Sequence, residues 1–342
     1  IDDTEKMIEL SKKVKHATVI GGGLLGLEAA RGLLEQGIKV TVIHLAEWLL
    51  EMQLDRKAGE LLKADLEKQG LEILLGKATQ KIIGTEKVEG LEFADGTSLK
   101  TDMVIMAVGI RPEISLARES GLGVNRAILV NDYMETSIPD VYAVGECVEH
   151  NGKTYGLVAP LFDQARILSK KLAGFEADPY VGSTTYTQLK VSGCDLFSAG
   201  DIHSEEDVQV VEAYDGMTNA YKKLFIKDGL VQGVVLYGDV LEGQRYYRML
   251  KNKQPLDEFT TVSVLHTSDG DTGLSVADMA GDETICGCNG VIKDDIVKAI
   301  QTEELTSIAE VTKCTKAGGS CGKCKPMIGE LISDTLGADA LT

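Results

Sequence analysis

The chain has 342 residues, 44% of them hydrophobic and 26% charged, which is enough for two or three domains with real cores. Lys and Arg total 35 against 53 Asp and Glu, and the net charge of −18 opposes nucleic-acid backbones and anionic membrane surfaces. No apolar run reaches the length of a membrane span and no signal peptide opens the chain, so a cytoplasmic location is expected, with no nucleic acid or membrane as partner.

The chain opens on Ile1 rather than Met, and its natural start is expected upstream. Residues 17–43 read as a βαβ unit: ATVI is a short buried strand, GGGLLGLEAARGLLEQG a glycine turn and helix, and KVTVI a second strand. Further on, LEFADGTSLKTDMVIMAVG predicts a strand, an Asp95-Gly96 hairpin turn and an apolar strand ending at Gly109. PDVYAVGE predicts another apolar strand, and LVAPLFDQARILSKKLAG a helix. From Tyr186 to Tyr237 the pattern changes to repeated strands with an Asp228-Gly229 hairpin signal, an antiparallel α+β region. A polar stretch over 267–283 reads as a linker, and the remainder as helical.

Gly21, Gly22, Gly23, Leu24, Leu25 and Gly26 fit G-x-G-x-x-G between a strand and a helix. In that setting Gly21 permits a tight turn, Gly23 lets the backbone approach a pyrophosphate, and Gly26 packs helix on strand. The helix N-terminus supplies amide donors to the phosphates. A plain structural turn is the bland alternative; the strand–turn–helix context favours a dinucleotide. Where an acid for the adenosine ribose is expected, at the end of the second strand, stands His44, with Glu47 nearby. No arginine follows to meet a 2′-phosphate, so the choice between NADH and NADPH leans only slightly toward NADH.

Of the seven cysteines, four form two close pairs, Cys286-x-Cys288 and Cys321-x-x-Cys324, separated by thirty-two residues. With no secretory signal, metal or redox use is favoured over a disulfide framework. Both pairs are expected at helix starts, before VIKDDIVKAI and KPMIGELISDTLG, where the helix dipole eases thiolate charge. Lys313, Lys316, Lys323 and Lys325 add compensation, and Gly318 and Gly319 let the backbone fold close. Four thiolates satisfy either structural zinc or a [2Fe–2S] cluster. The C-x-C half and the long gap fit zinc poorly. Cys314, Cys147 and Cys194 read as bystanders.

VGIRP at 108–112 and VYAVGEC at 141–147, with Gly109, Gly145 and Glu146 at their ends, resemble the FAD- and NAD(P)H-dependent oxidoreductases of the glutathione-reductase type. That resemblance implies that the first segment returns the chain from the NAD domain to the FAD domain. It also implies that the strand-end acid, usually Asp where this chain has Glu146, contacts the flavin's ribityl region. The family's earlier glycine turn for FAD is expected upstream of Ile1, which puts flavin binding by this stretch alone in doubt. The cysteine arrangement resembles the bacterioferritin-associated ferredoxin-like domain. Taken with HLAEWLLEMQLD, AVGIRPE and KVSGCDLFSAGD, the chain resembles the large subunit of assimilatory NAD(P)H-dependent nitrite reductase, and the nitrate reductase electron-transfer subunit is similar.

The resemblance implies an α/β chain with a Rossmann-type NAD(P)H domain over 1–110 and the second half of a FAD domain over 111–175. An α+β interface domain over 176–266, which packs rather than reacts, precedes the linker and a small helical [2Fe–2S] domain over 284–342. It implies a relay from NAD(P)H through FAD and the cluster to a sirohaem centre, which with its [4Fe–4S] cluster is expected in a part beyond this chain. Glu28 matches the family position near the nicotinamide; a surface glutamate is its ordinary explanation. No side chain is assigned as the catalytic group. The implied partners are NAD(P)H, a sirohaem-type acceptor domain or subunit and, as an option, a second copy of the chain. The rival reading is a non-enzymatic, nucleotide-responsive assembly module whose four cysteines hold zinc.

Overall fold

The computed structural model describes residues 2–191, 193–204, 206–255, 276–320, 322 and 324–337. The first stretch runs α1 (Asp2–Ser11), β1 (His16–Ile20), α2 (Leu24–Glu35), β2 (Lys39–Ile43), α3 (Arg56–Lys68), β3 (Glu72–Leu74), β4 (Thr79–Ile83), β5 (Gly90–Phe93), β6 (Ser98–Lys100) and β7 (Met103–Met106). Next come α4 (Ser115–Glu119), β8 (Ile128–Val130), β9 (Val148–His150) and α5 (Val158–Leu172). Strands β10 (Tyr186–Val191), β11 (Cys194–Gly200), β12 (Gln209–Asp215), β13 (Ala220–Lys227) and β14 (Leu230–Tyr237) lead to α6 (Gly243–Asn252). The last described stretch holds β15 (Thr284–Cys286), β16 (Val291–Ile292), α7 (Lys293–Glu303), α8 (Ile308–Thr315) and α9 (Lys325–Leu336).

These elements group into two compact units, one of residues 1–109 and 186–267, the other of residues 110–185 and 268–342. In the first, a parallel sheet in the order β3-β2-β1-β7 is formed by β1 and β2 in register and by β7 on the far side of β1. Strands β1 and β2 are near-continuous apolar runs because both faces of a parallel sheet are covered. Helix α2 buries Leu27, Ala30 and Leu33, spaced for one helical face, in the same cluster as Val19, Val40 and Val42. The β4-β5-β6 sheet turns at Asp95-Gly96, where the Asp95 carboxylate accepts from Thr97 N at 3.0 Å.

The antiparallel sheet of this unit has the order β10-β11-β14-β13-β12 and turns at Asp228-Gly229, both residues at positive φ. It packs on the parallel-sheet half of its unit. Leu196, Tyr221, Phe225 and Val235 share one buried cluster with Leu27, Val40 and Leu62. Two carboxylates at the ends of α3 pin it: Tyr221 donates to Asp55 at 2.7 Å, and Tyr237 donates to Asp65 at 2.6 Å. Burial and the adjoining carboxylate push both phenols far above their ordinary pKa.

In the second unit β8 and β9 pair in parallel and α5 follows. The strand expected over PDVYAVGE is not formed. Its backbone makes only an isolated bridge, Tyr142 to Glu135, and the strand proper begins six residues beyond Tyr142, at Val148. An apolar run becomes a strand only where a neighbour continues the ladder, and here the described residues offer one bridging partner. The apolar strand expected to reach Gly109 stops at Met106, the last residue paired with β1. The terminal helices enclose a separate cluster of Ile285, Cys286, Ile296, Ile300, Val311, Cys324, Ile328 and Leu331. Helix α8 starts on a reciprocal cap between Ser307 and Glu310. Within the stretch read as a linker, Val276 joins this cluster and Lys293 Nζ donates to the Met279 carbonyl at 2.7 Å. Residues 267–275 of that stretch lie outside the described residues.

Candidate functional site

The glycine turn is built as its spacing predicts. Gly21 sits at φ +119°, and a Cβ there would overlap the Ala107 carbonyl at the end of β7, so only glycine fits. A Cβ on Gly26 would overlap the Gly21 carbonyl, which fixes how closely α2 sits on the turn. Around Gly23, the N-cap of α2, nothing lies within 4 Å of a Cβ position. The first turn of α2 has no side-chain cap and no acid, so its amide donors face an open approach suited to a phosphate. Leu24 is half-buried while Leu25 and Glu28 are exposed on the helix.

His44 stands at the end of β2 but faces the turn. Its Nδ1 accepts a hydrogen bond from Gly22 N at 3.0 Å, and its Nε2 lies 2.8 Å from the Glu51 carboxylate. Because Nδ1 must accept, the proton is on Nε2 and is donated to Glu51. Both ring nitrogens are thereby engaged within the protein. The Gly22 carbonyl in turn accepts from Leu50 N at 3.2 Å, so the 44–51 loop holds the turn from behind at two points. Nearby Glu47 is paired with Arg56, which stacks 5.0 Å from the Trp48 ring centre.

In the second unit Gly145 N donates to the buried Gln164 side chain of α5 at 3.0 Å, and Glu146 is exposed beside it. Gly109, in the first unit, is exposed. Two residues further along α5, Arg166 Nη2 donates to the Gly290 carbonyl at 2.7 Å, just past Cys288. Gly290 has φ +62°, and a Cβ there would meet the Phe162 ring at 2.5 Å. One helix therefore touches both the Gly145 turn and the loop of the first cysteine pair.

The cysteines are placed differently from each other. Cys286 ends β15 and is buried, Cys288 lies exposed in the following turn, and β16 intervenes before α7. The first pair is thus in a hairpin, not at a helix start. The C-x-C spacing is too short to clear the strand, and helix geometry begins only at Lys293. Cys324 is the buried N-cap of α9, so the dipole argument holds there. Cys321 lies outside the described residues, as does Lys323. Among the described residues no three His, Cys, Asp or Glu side chains form a metal-binding group. Cys286 and Cys324 nonetheless line one apolar cluster, and soft sulfur donors in apolar surroundings suit an iron–sulfur centre better than a hard cation. Cys314 is exposed on α8, while Cys147 and Cys194 are half-buried. Burial pushes the Cys194 thiol up, away from the reactive thiolate.

Sequence reasoning missed Glu51, Gln164, Arg166 and Asn289. Asn289 alone had a signal, its place directly after Cys288. The partners of the others lie 7 to 124 residues away.

Comparison with known proteins gives three family matches in chain order. Residues 1–167 match the pyridine nucleotide-disulphide oxidoreductases, 186–254 the rubredoxin NAD+ reductase C-terminal domain, and 284–334 the BFD-like [2Fe–2S] binding domain. Nitrite reductase [NAD(P)H] of Bacillus subtilis (strain 168) is 51% identical over 99% of this chain and 42% of its own length. The assimilatory nitrate reductase electron transfer subunit of the same organism is 42% identical over 97% of this chain and 43% of its own. The chain thus spans about two fifths of the length of these curated relatives. Among solved structures, NADH:rubredoxin oxidoreductase from Clostridium acetobutylicum superposes with a TM-score of 0.61 at 27% identity, covering 77% of this chain and 66% of that one.

Proposed function

We propose that the chain, which matches the pyridine nucleotide-disulphide oxidoreductases over residues 1–167 and the BFD-like [2Fe–2S] binding domain over 284–334, and which is similar to NAD(P)H nitrite reductase and the assimilatory nitrate reductase electron-transfer subunit, is an electron-transfer module running from NAD(P)H to a [2Fe–2S] centre. The observation that carries this reading is the union on one chain of an open glycine turn and a cysteine region of the [2Fe–2S]-binding type. When bound, FAD would supply hydride acceptance from a nicotinamide and the cluster would supply one-electron transfer.

The chain's own residues bind and orient. Gly21 to Gly26 receive the pyrophosphate of NAD(P)H, with amide donors from the first turn of α2, and Glu28 lies on the same helix. His44 keeps Gly22 in place. Gly145 and Glu146, in the second unit, border the flavin. Gln164 fixes the Gly145 turn while Arg166 holds the cysteine loop, so α5 sets the spacing between flavin and cluster sites. Cys286, Cys288, Cys321 and Cys324 are the four thiolate ligands. The acceptor is a sirohaem-type nitrite-reducing centre carried by a domain or subunit outside this chain, and the module works in the cytoplasm, alone or as a homodimer. Among the described residues no helix is long and apolar enough to cross a membrane. The 42% identity to the nitrate reductase subunit favours a second reading for the acceptor alone, a nitrate-reducing partner.

The test is to reconstitute the chain anaerobically with iron and sulfide and to measure its visible spectrum before and after dithionite and its binding of NADH. A coloured protein that dithionite bleaches and that binds NADH is expected. A colourless chain with stoichiometric zinc, or a coloured one with no affinity for NADH, contradicts this reading.

A further inference from the structure

Among the described residues, Asn289 touches both halves of the cysteine region. Its backbone N donates to the Cys286 carbonyl at 3.3 Å, closing the turn that carries Cys288. Its Nδ2 donates to the Lys316 carbonyl at 2.7 Å and lies 3.8 Å from Cys286 Sγ. Its Oδ1 accepts from Ser320 Oγ at 3.2 Å, directly before Cys321. The amide orientation is fixed by chemistry. Turned over, the carbonyl oxygen would face the Lys316 carbonyl, two acceptors with no hydrogen between them, and Ser320 would lose its acceptor. Of the two N–H bonds on Nδ2, one goes to Lys316 and the other is left for the sulfur.

Resting on the reading that the four cysteines hold a [2Fe–2S] cluster, we propose that Asn289 is a positioning residue which clips the Cys286–Cys288 hairpin to the loop entering Cys321 and donates an N–H···S hydrogen bond that raises the cluster's reduction potential. Hydrogen bonds to ligating sulfur are one of the terms that set such potentials. A cluster gains negative charge when it takes an electron, so a donor on a ligand sulfur stabilises the reduced form more than the oxidised one. Aspartate fits the same space but has no donor. It would lose the Lys316 bond and place negative charge beside a thiolate.

The experiment is a spectroelectrochemical titration of the full chain reconstituted with iron and sulfide, which needs neither flavin nor nucleotide. Wild type is compared with Asn289→Ser, Asn289→Ala and Asn289→Asp, and iron and sulfide content are measured for each. The expected order of midpoint potentials is wild type highest, then Ser, which keeps an O–H donor, then Ala, then Asp. If Ala fails to hold the cluster, Ser against Asp decides: Asp must lie below Ser. Equal potentials in variants with full cluster content overturn the proposal and leave the iron–sulfur reading standing. A wild-type chain that takes up zinc and no iron overturns both.

Discussion

At the scale of single residues, His44 and Asn289 do the same kind of work in the two candidate sites. Each follows the end of a strand and fixes a ligand-facing loop through hydrogen bonds at about 3 Å, His44 to Gly22 and Asn289 to the Lys316 carbonyl. The Gly22 N–H is buried, and leaving such a donor unpaired costs about 1–3 kcal/mol. His44→Ala should therefore weaken NADH binding by up to roughly a hundredfold. His44→Asn, which keeps an acceptor, should lose less. Titration by NADH fluorescence checks this, and unchanged affinity in the alanine variant would remove His44 from the site. The glycine turn was readable from sequence because every part of it lies within six residues. The role of His44 was not, since its partners Gly22 and Glu51 are fixed by the loop's path behind the turn rather than by spacing. The cysteine pairs were readable from spacing for the same local reason, whereas the hairpin that carries the first pair was not.

At the scale of elements, α3 and α5 are the connectors. Helix α3 receives the antiparallel sheet on Asp55 and Asp65. Burial raises the Asp65 pKa, but hydrogen bonds from Lys68, Tyr237 and Asn219 outweigh it and hold the group below the ordinary carboxylate value. A depressed carboxylate stabilises the fold above its unfolded pKa of about 3.9, and that contribution is lost as pH falls through the lower folded value. Asp65→Asn should thus have a lower Tm than wild type at neutral pH, with the gap closing below about pH 4. A gap that stays constant with pH would show that the carboxylate charge is not what pins the sheet. Helix α5 makes the second connection. Gly290→Ala would force a side chain onto the Phe162 ring at positive φ. Faster amide exchange is expected across residues 286–291, with exchange in β1 and β2 unchanged. Equal exchange in the loop would mean that α5 does not hold it. The stretch LVAPLFDQARILSKKLAG announced helix α5, and the repeated strands of 186–237 with their Asp228-Gly229 turn a sheet. The apolar VYAVGE run misled because strand formation depends on a neighbour that local sequence does not reveal.

At the scale of the molecule, contacts join segments that are far apart in the chain, 1–109 with 186–267 and 110–185 with 268–342. Linear reading follows composition and periodicity along the chain, so it carries no signal for which distant segments share a core. The order of modules was readable all the same. A strand–turn–helix nucleotide motif, an antiparallel sheet and a paired-cysteine region each have a local pattern, and the three family matches fall on them in that order. On this reading the cysteine region gives the chain a one-electron outlet. Its most direct measurement is the metal content of the chain purified without oxygen, with the electron paramagnetic resonance spectrum after dithionite. Iron and acid-labile sulfide are expected in equal amounts, near two of each per chain, with a reduced [2Fe–2S] signal that Cys286→Ser or Cys324→Ser abolishes or alters. One zinc per chain, no labile sulfide and a silent spectrum would contradict it.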